Sequence, residues 1–258
     1  MSNIERTRVG VTQVLRLNRP EKKNAITGEM YDTLSDALEA GDRDENVAVH
    51  VFLGSNGVFT AGNDIGEFLT SSRGDQAVLT SVLRFVRLLP RVEKPMLAGV
   101  DGLAIGIGTT LLFHCDLVYA SPSAYFQTPF LELGLVPEAG SSLLMPARLG
   151  YARAFEMLVL GKPVDAATMH NLGLLNAIVA GDELEARVLE VAAQLAHKPP
   201  TALALARRLL RGDVDALSRR TDEEAQIFGQ QLRSAEAREA FQAFLEKRVP
   251  DFSKQRDR

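Results

Sequence analysis

Residues 94–120 read KPMLAGVDGLAIGIGTTLLFHCDLVYA and contain one complete unit of the fold. Lys94–Val100 predicts a short buried strand, Asp101–Gly108 a glycine-rich turn, Thr109–Cys115 a helical stretch, and Leu117–Ala120 a second strand. Strands that alternate with helical stretches are typical of α/β proteins with crossover connections. The quoted stretch therefore predicts an α/β fold class.

The same alternation is present upstream. Val9–Leu17 alternates loosely and ends in the turn Asn18–Pro20, which predicts one strand. The run Val47–Leu53, closed by Gly54–Gly57, predicts a buried strand and its turn. Between them, Thr27 is expected to cap an amphipathic helix. The apolar face of that helix carries Met30, Leu34, Ala37 and Leu38.

From Pro199 onward the sequence is charge-rich and helix-forming, which predicts a helical tail. The apolar residues along this tail are Leu203, Leu205, Leu209, Leu210, Ala225, Phe228, Leu232, Ala240, Phe241, Phe244 and Leu245. We place a boundary here, with a core domain at residues 1–198 and a helical C-terminal region at residues 199–258. The apolar faces of the tail are expected to contact a neighbouring chain as well as their own.

Composition narrows the class of protein. The chain has 258 residues, 46% hydrophobic and 24% charged, as is ordinary for a soluble globular protein. A net charge of −4 gives no support to nucleic-acid binding. No apolar run reaches the ~18 residues of a membrane span, and the first residues lack the apolar core of a secretory signal. A single cysteine excludes an internal disulfide, so we expect a cytoplasmic protein without membrane or nucleic-acid partners.

The sequence lacks the motifs of several common catalytic, nucleotide-binding and metal-binding sites. The four histidines are scattered without ligand spacing, so no metal site is predicted. Gly106–Gly108 begins like a dinucleotide loop, but Leu111 replaces its last glycine. There is no GxSxG elbow and no Walker lysine motif. Cys115 lies in an apolar stretch beside Asp116, which disfavours a nucleophilic thiolate.

Two glycine turns share one design, at Phe59–Ile65 and at Gly102–Thr109. Each follows a predicted strand and is expected to open a helix. Backbone N–H groups at such junctions lack helical partners and can bind a negatively polarised oxygen. Two of them together would form an oxyanion hole. Glycine turns after strands also serve packing alone, so the pattern by itself leaves both interpretations open.

These two turns, together with FQTPFLELGLVPEAGSS at residues 126–142, resemble the enoyl-CoA hydratase/isomerase (crotonase) superfamily. Leu17–Ala25 and Phe244–Arg248 fit the same pattern, so the resemblance covers nearly the whole chain. It implies a ClpP/crotonase-like spiral of repeated β-β-α units with a C-terminal helical trimerisation region. It further implies an acyl-CoA thioester substrate, no cofactor besides the coenzyme A of that substrate, and a homotrimer or dimer of trimers.

The resemblance also implies site residues. The thioester oxygen is expected to lie between the backbone N–H groups of Ala61 and Ile107. The residues expected to line the acyl-CoA pocket are Ala25, Ala61, Gly62, Asn63, Asp64, Ile65 and Gly106. The basic residues expected to face the CoA phosphates are Arg19, Lys22 and Lys23, with Lys247 from an adjacent subunit. Lys22 and Lys23 fit a solvated turn equally well.

Hydratases of this superfamily use two glutamates, and the matching positions here hold Thr110 and Phe130. Neither residue can act as a carboxylate base, which the activation of water requires. Glu138, in the context VPEAGSS, resembles the acid of peroxisomal-type Δ3,Δ2-enoyl-CoA isomerases. The residues therefore favour an isomerase with Glu138 as its base. Residues 68–87 are expected to contribute to the acyl pocket.

Several alternatives stay open at this level. Glu138 could be a first-turn acid that stabilises its own helix, which would lower its pKa, whereas an apolar pocket would raise it. Glu132 is a spare carboxylate. The chain could also be a hydratase, another acyl-CoA lyase or hydrolase, or a non-catalytic acyl-CoA-binding module.

Overall fold

A computed structural model describes residues 3–72 and 77–253 of the chain. Within them, six strands form one sheet in the order β1-β2-β3-β4-β6-β9, and three form a second in the order β5-β7-β8. The strands are β1 Ile4–Val9, β2 Thr12–Leu17, β3 Val49–Leu53, β4 Met96–Val100, β5 Leu103–Ile105, β6 Leu117–Ala120, β7 Tyr125–Gln127, β8 Val164–Asp165 and β9 Ala177–Ile178. Apart from the β1–β2 pair, the larger sheet is parallel, which confirms the α/β class.

Helices cover both faces of the larger sheet and form the tail. They are α1 Gly28–Arg43, α2 Ile65–Ser72, α3 Ala77–Leu88, α4 Ile107–Thr110, α5 Ser141–Leu149, α6 Tyr151–Leu160, α7 Ala166–Asn171, α8 Gly181–Ala196, α9 Pro200–Arg211, α10 Val214–Gln231 and α11 Ala235–Glu246. The cap of α1 is confirmed, because Thr27 Oγ1 accepts the Met30 amide at 3.3 Å. The predicted apolar face of α1 is buried. None of the described helices has the length and hydropathy to cross a bilayer.

The N-terminal prediction was wrong in one respect. Instead of one strand at residues 9–17, β1 and β2 form an antiparallel hairpin that turns at Gly10, where φ is +60°. The sequence hides β1 because it is an edge strand: five of its six residues are exposed, so it carries no apolar alternation.

The glycine-rich turn after β4 contains structure of its own. The short strand β5 pairs with β7 in parallel, and it also contacts the first glycine turn through an isolated bridge between Thr60 and Ala104. A three-residue strand among glycines carries too little apolar pattern to be recognised from sequence. The bridge places the two glycine turns side by side.

The C-terminal helices complete the main core. Phe228 and Phe241 are fully buried members of the same apolar cluster as the sheet residues Phe52 and Ala98. A smaller apolar cluster lies on the opposite face of the sheet, beneath α8. The predicted boundary falls between α8 and α9, but the region that follows it shares the core of the region before it.

Candidate active site

The glycines of the two turns allow their backbones to touch. Ile105 N donates to Thr60 O at 3.0 Å, so the first turn lies against the end of β5. A Cβ on Gly62, whose φ is +84°, would lie 2.8 Å from Ile105 O. A Cβ on Gly108 would lie 2.4 Å from Thr60 Cγ2. Both positions therefore require glycine for close approach, and Gly62 also for its left-handed backbone.

One of the two amides that were expected to bind the thioester oxygen already has an acceptor within the protein. Ala61 N donates to Lys23 O at 2.9 Å, so the prediction of Ala61 as an oxyanion donor was wrong. The N–H groups of Asn63 and Ile107 have no acceptor among the described residues. Each residue lies three positions beyond the Thr60–Ala104 bridge that joins the two turns. The pair able to bind an oxygen is therefore Asn63 and Ile107.

Glu138 is a buried carboxyl group with one unused oxygen. Its side chain is 5% exposed, and Oε1 accepts the Thr110 hydroxyl at 2.5 Å. Oε2 has no partner among the described residues. The loop around it is tightly turned, with φ of +57° at Ala139 and +70° at Gly140. His114 Nε2 holds this turn by donating to Ala139 O at 2.6 Å.

Burial is the main influence on this acid. Desolvation raises the pKa of Glu138 to about 8, the Thr110 hydroxyl opposes the rise, and the charge of Glu224 adds to it. Burial, followed by the charge of Glu138, also raises the pKa of Tyr31. The neutral Tyr31 hydroxyl in turn donates to Asn63 Oδ1. Thr110, which holds the acid, and Ile107, which carries a free amide, lie on the same short helix α4, so the acid and this amide belong to one site.

The alternatives to Glu138 are placed elsewhere. Phe130 is buried in the core, and Glu132 is exposed on a single 3₁₀ turn. Helix α5 begins only at Ser141, and the amides of Gly140 and Ser142 donate to Glu224, not to Glu138. Glu138 is therefore not the acid that caps this helix.

Arg19 and Asp64 form an ion pair next to the first glycine turn. Arg19 Nη1 donates to Asp64 Oδ2 at 2.7 Å and to Ala25 O at 3.1 Å. Asp64 Oδ1 accepts the Glu67 amide at 3.2 Å. Partial burial would raise the pKa of Asp64, but these hydrogen bonds outweigh it and lower the pKa. The Arg19 guanidinium thus pairs with Asp64, and its expected role at a phosphate stays a prediction.

The three lysines that were expected to face the CoA phosphates are all exposed. Lys22 and Lys23 are exposed, and their ammonium groups make no ion pair within the described residues. Lys247 is exposed at the end of α11, where its φ is +54°. Within a single chain, no contact among the described residues joins Lys247 to the loop that carries Lys22 and Lys23.

The other expected pocket residues lie at the junctions between turn and helix. Ile65 begins α2, and Gly106 precedes α4 with φ +56° and open space where a Cβ would be. In the stretch 68–87, Phe68 is buried against Phe228 at a ring distance of 6.1 Å. Residues 73–76 of that stretch lie outside the described residues.

Glu138→Gln is expected to stabilise the fold at alkaline pH. Burial raises the pKa of Glu138 from 4.5 to about 8, so between these values the folded protein holds a proton that the unfolded chain releases. The free energy of unfolding therefore falls as pH rises through this window, by an amount on the order of a few kcal/mol. Glutamine does not titrate and avoids this loss. Urea unfolding at about pH 5 and about pH 9 measures it, and an equal effect of the variant at both would contradict the assignment.

Comparison with known proteins places the chain in a family. The enoyl-CoA hydratase/isomerase family model matches residues 6–255. The 1,2-epoxyphenylacetyl-CoA isomerase of Escherichia coli is 34% identical, over 93% of this chain and 94% of that protein. Enoyl-CoA delta isomerase 2 of Rattus norvegicus is 35% identical, over 92% of this chain and 61% of the longer relative. The 2,3-dehydroadipyl-CoA hydratase of E. coli is 31% identical, over 93% of this chain and 94% of that protein.

A solved structure agrees with the fold. An enoyl-CoA hydratase/isomerase from Pseudoalteromonas atlantica is 38% identical and superposes with a TM-score of 0.91, over 98% of this chain and 100% of that one. The expected crotonase-like fold, with its helical C-terminal region, is confirmed. The chain belongs to the enoyl-CoA hydratase/isomerase family.

Proposed function

We propose that the protein is an isomerase that moves the β,γ double bond of an acyl-CoA thioester to the α,β position. The observation that carries this proposal is the arrangement of Glu138. It is a buried carboxyl group with one oxygen held by the Thr110 hydroxyl and one oxygen without a partner among the described residues. Thr110 occupies the position where hydratases carry their first glutamate, so that position here orients the acid that remains.

The proposed steps need one acid and two amides. Glu138 Oε2 removes a proton from the α-carbon, and the electrons of that C–H bond form a dienolate whose charge rests on the thioester oxygen. The N–H groups of Asn63 and Ile107 stabilise this oxygen. The protonated Glu138 then delivers the same proton to the γ-carbon, which leaves the double bond between the α- and β-carbons. No water and no additional cofactor take part.

A buried carboxyl group suits this shuttle. A base with a pKa near the working pH combines adequate basicity with easy return of the proton. The pKa of Glu138, raised by burial to about 8, lies in this range. Hydration is the second candidate, because a hydratase is among the relatives. It would need a further group to activate water, and Phe130 fills the second hydratase position with an apolar ring.

Product analysis with two substrates tests the proposal. A 3-enoyl-CoA should be converted to the 2-enoyl-CoA, and a 2-enoyl-CoA should give no 3-hydroxyacyl product. Efficient hydration of the 2-enoyl-CoA would support the hydratase instead. Binding of both without turnover would support a non-catalytic acyl-CoA-binding module.

We further propose that the chain forms a trimer or a dimer of trimers through its tail. Leu209 and Leu210 on α9 are 79% and 88% exposed in the single chain. Leu205, one helical turn before Leu209, is 47% exposed as well, and contiguous exposed apolar patches mark interaction sites. Such an assembly would bring Lys247 of one chain near the Lys22 and Lys23 of another, where the three ammonium groups would face CoA phosphates.

Light scattering should therefore give a mass of three or six times the 28.1 kDa chain. Changing both leucines to glutamate is expected to shift the mass toward the monomer, since charged groups in an apolar interface are costly to desolvate. A monomeric wild-type protein would overturn this proposal.

A further inference from the structure

Helix α10 reaches the loop that carries the proposed base. Glu224, in the middle of α10, is 5% exposed and accepts the Gly140 amide at 2.6 Å and the Ser142 amide at 2.9 Å. These amides belong to the N-terminal turn of α5, whose N-cap residue is Gly140 and therefore offers no side chain to cap the helix. An acid of the C-terminal helices therefore caps a helix of the core.

This contact occupies a helix terminus that lies close to Glu138 along the chain. The N-terminus of a helix stabilises negative charge through its free amides and its dipole. Glu138 precedes Gly140 by two residues and is the nearest acid along the chain to that terminus. Glu224 accepts these amides, whereas Glu138 accepts only the Thr110 hydroxyl and its Oε2 has no partner among the described residues.

We propose that Glu224 is a positioning residue for Glu138: it fixes the loop at Gly140 and occupies the α5 N-terminus, so that Glu138 remains an unpaired base. This inference rests on the proposed function only in calling Glu138 a base, because the hydrogen bonds of Glu224 do not depend on the reaction. Its consequence is that the C-terminal helices take part in setting up the base, and do not act in assembly alone.

The polar and titratable groups around Glu138 come from helices α1, α4 and α10 and from His114, which follows α4 in the chain. Tyr31 of α1 and Thr110 of α4 are neutral, and His114 beside α4 is neutral because burial lowers its pKa to about 3. Glu224 of α10 is the acid among them: burial raises its own pKa, hydrogen bonds from Ser142 and Gly140 and the charge of Arg220 oppose that rise, and its ionised form makes Glu138 harder to ionise. Removing that charge, and freeing the α5 amides, should both make Glu138 easier to ionise.

Carbon-13 NMR titration of the glutamate carboxyl groups tests the inference without substrate. The Glu138 signal is assigned by its loss in Glu138→Gln. In Glu224→Gln, the titration midpoint of Glu138 is expected to fall by about half a unit to one unit, as for loss of a nearby like charge. Asp222→Asn removes the same charge from an exposed site of α10 that pairs with Arg87, and it should leave the midpoint unchanged.

The wild-type protein supplies a second readout, in case Glu224→Gln does not fold. The Glu224 signal should show an extra inflection at the Glu138 midpoint, and Glu138→Gln should abolish that inflection. An absent inflection, or an unchanged Glu138 midpoint in folded Glu224→Gln, would overturn the inference. If the titrations behave as expected but no 3-enoyl-CoA is converted, the proposed function fails and the positioning role stands.

Discussion

Glu138→Gln is expected to reduce kcat for 3-enoyl-CoA conversion by about 10²- to 10⁴-fold, the usual contribution of a general acid–base group. The amide has nearly the shape of the carboxyl group but cannot accept the α-proton. Its oxygen can still accept the Thr110 hydroxyl, so the site should keep its form and KM should change little. Initial rates at saturating and low substrate separate the two parameters.

Glu132→Gln is the matched control, since Glu132 is the other acid in the same stretch and is exposed. It should retain nearly full activity. If Glu138→Gln keeps more than about a tenth of the wild-type rate, an effect below the general acid–base range, Glu138 is not the base.

Ile107→Pro is expected to lower kcat by about 10²- to 10³-fold, the cost of one lost oxyanion donor. Ile107 is the first residue of α4, a position that accepts proline because its N–H has no helical partner. The substitution therefore removes the donor while the helix is kept. Steady-state kinetics with 3-enoyl-CoA measures the loss.

Ile107→Ala controls for the side chain, which is 1% exposed and packs in the core. It truncates the same side chain but keeps the N–H, so it should lose stability without a comparable loss of kcat. Equal kinetic defects in the two variants would show that packing, and not the amide, matters at this position.

Local signals explain what the sequence predicted well. The apolar runs of β3, β4 and β6, the Thr27 cap and the glycine turns each depend on neighbouring residues. A Cβ at position 62 or 108 would lie 2.8 Å or 2.4 Å from a neighbouring atom, so both positions require glycine. The turn pattern in the sequence indicates the glycines but not these distances.

Longer-range contacts explain what the sequence missed. The family resemblance pointed to the Ala61 amide, but that amide donates to Lys23 O, and only the folded turn shows that the Asn63 amide has no acceptor among the described residues. The sequence left the direction of the Glu138 pKa shift undecided, because a position at the start of a helix lowers the pKa of a carboxyl group whereas burial raises it. Glu224, 84 residues further along the chain from Gly140, removes that opposition by accepting the helix amides. No local pattern marks such a partner.

The most direct test of the account is the reaction of a 3-enoyl-CoA in D₂O, with early product examined by NMR and mass spectrometry. A single buried carboxyl group that carries the α-proton to the γ-carbon predicts 2-enoyl-CoA with less than one deuterium at that carbon. A 3-hydroxyacyl-CoA product, or one full deuterium at the γ-carbon from the first turnovers, would contradict the proposed proton shuttle through Glu138.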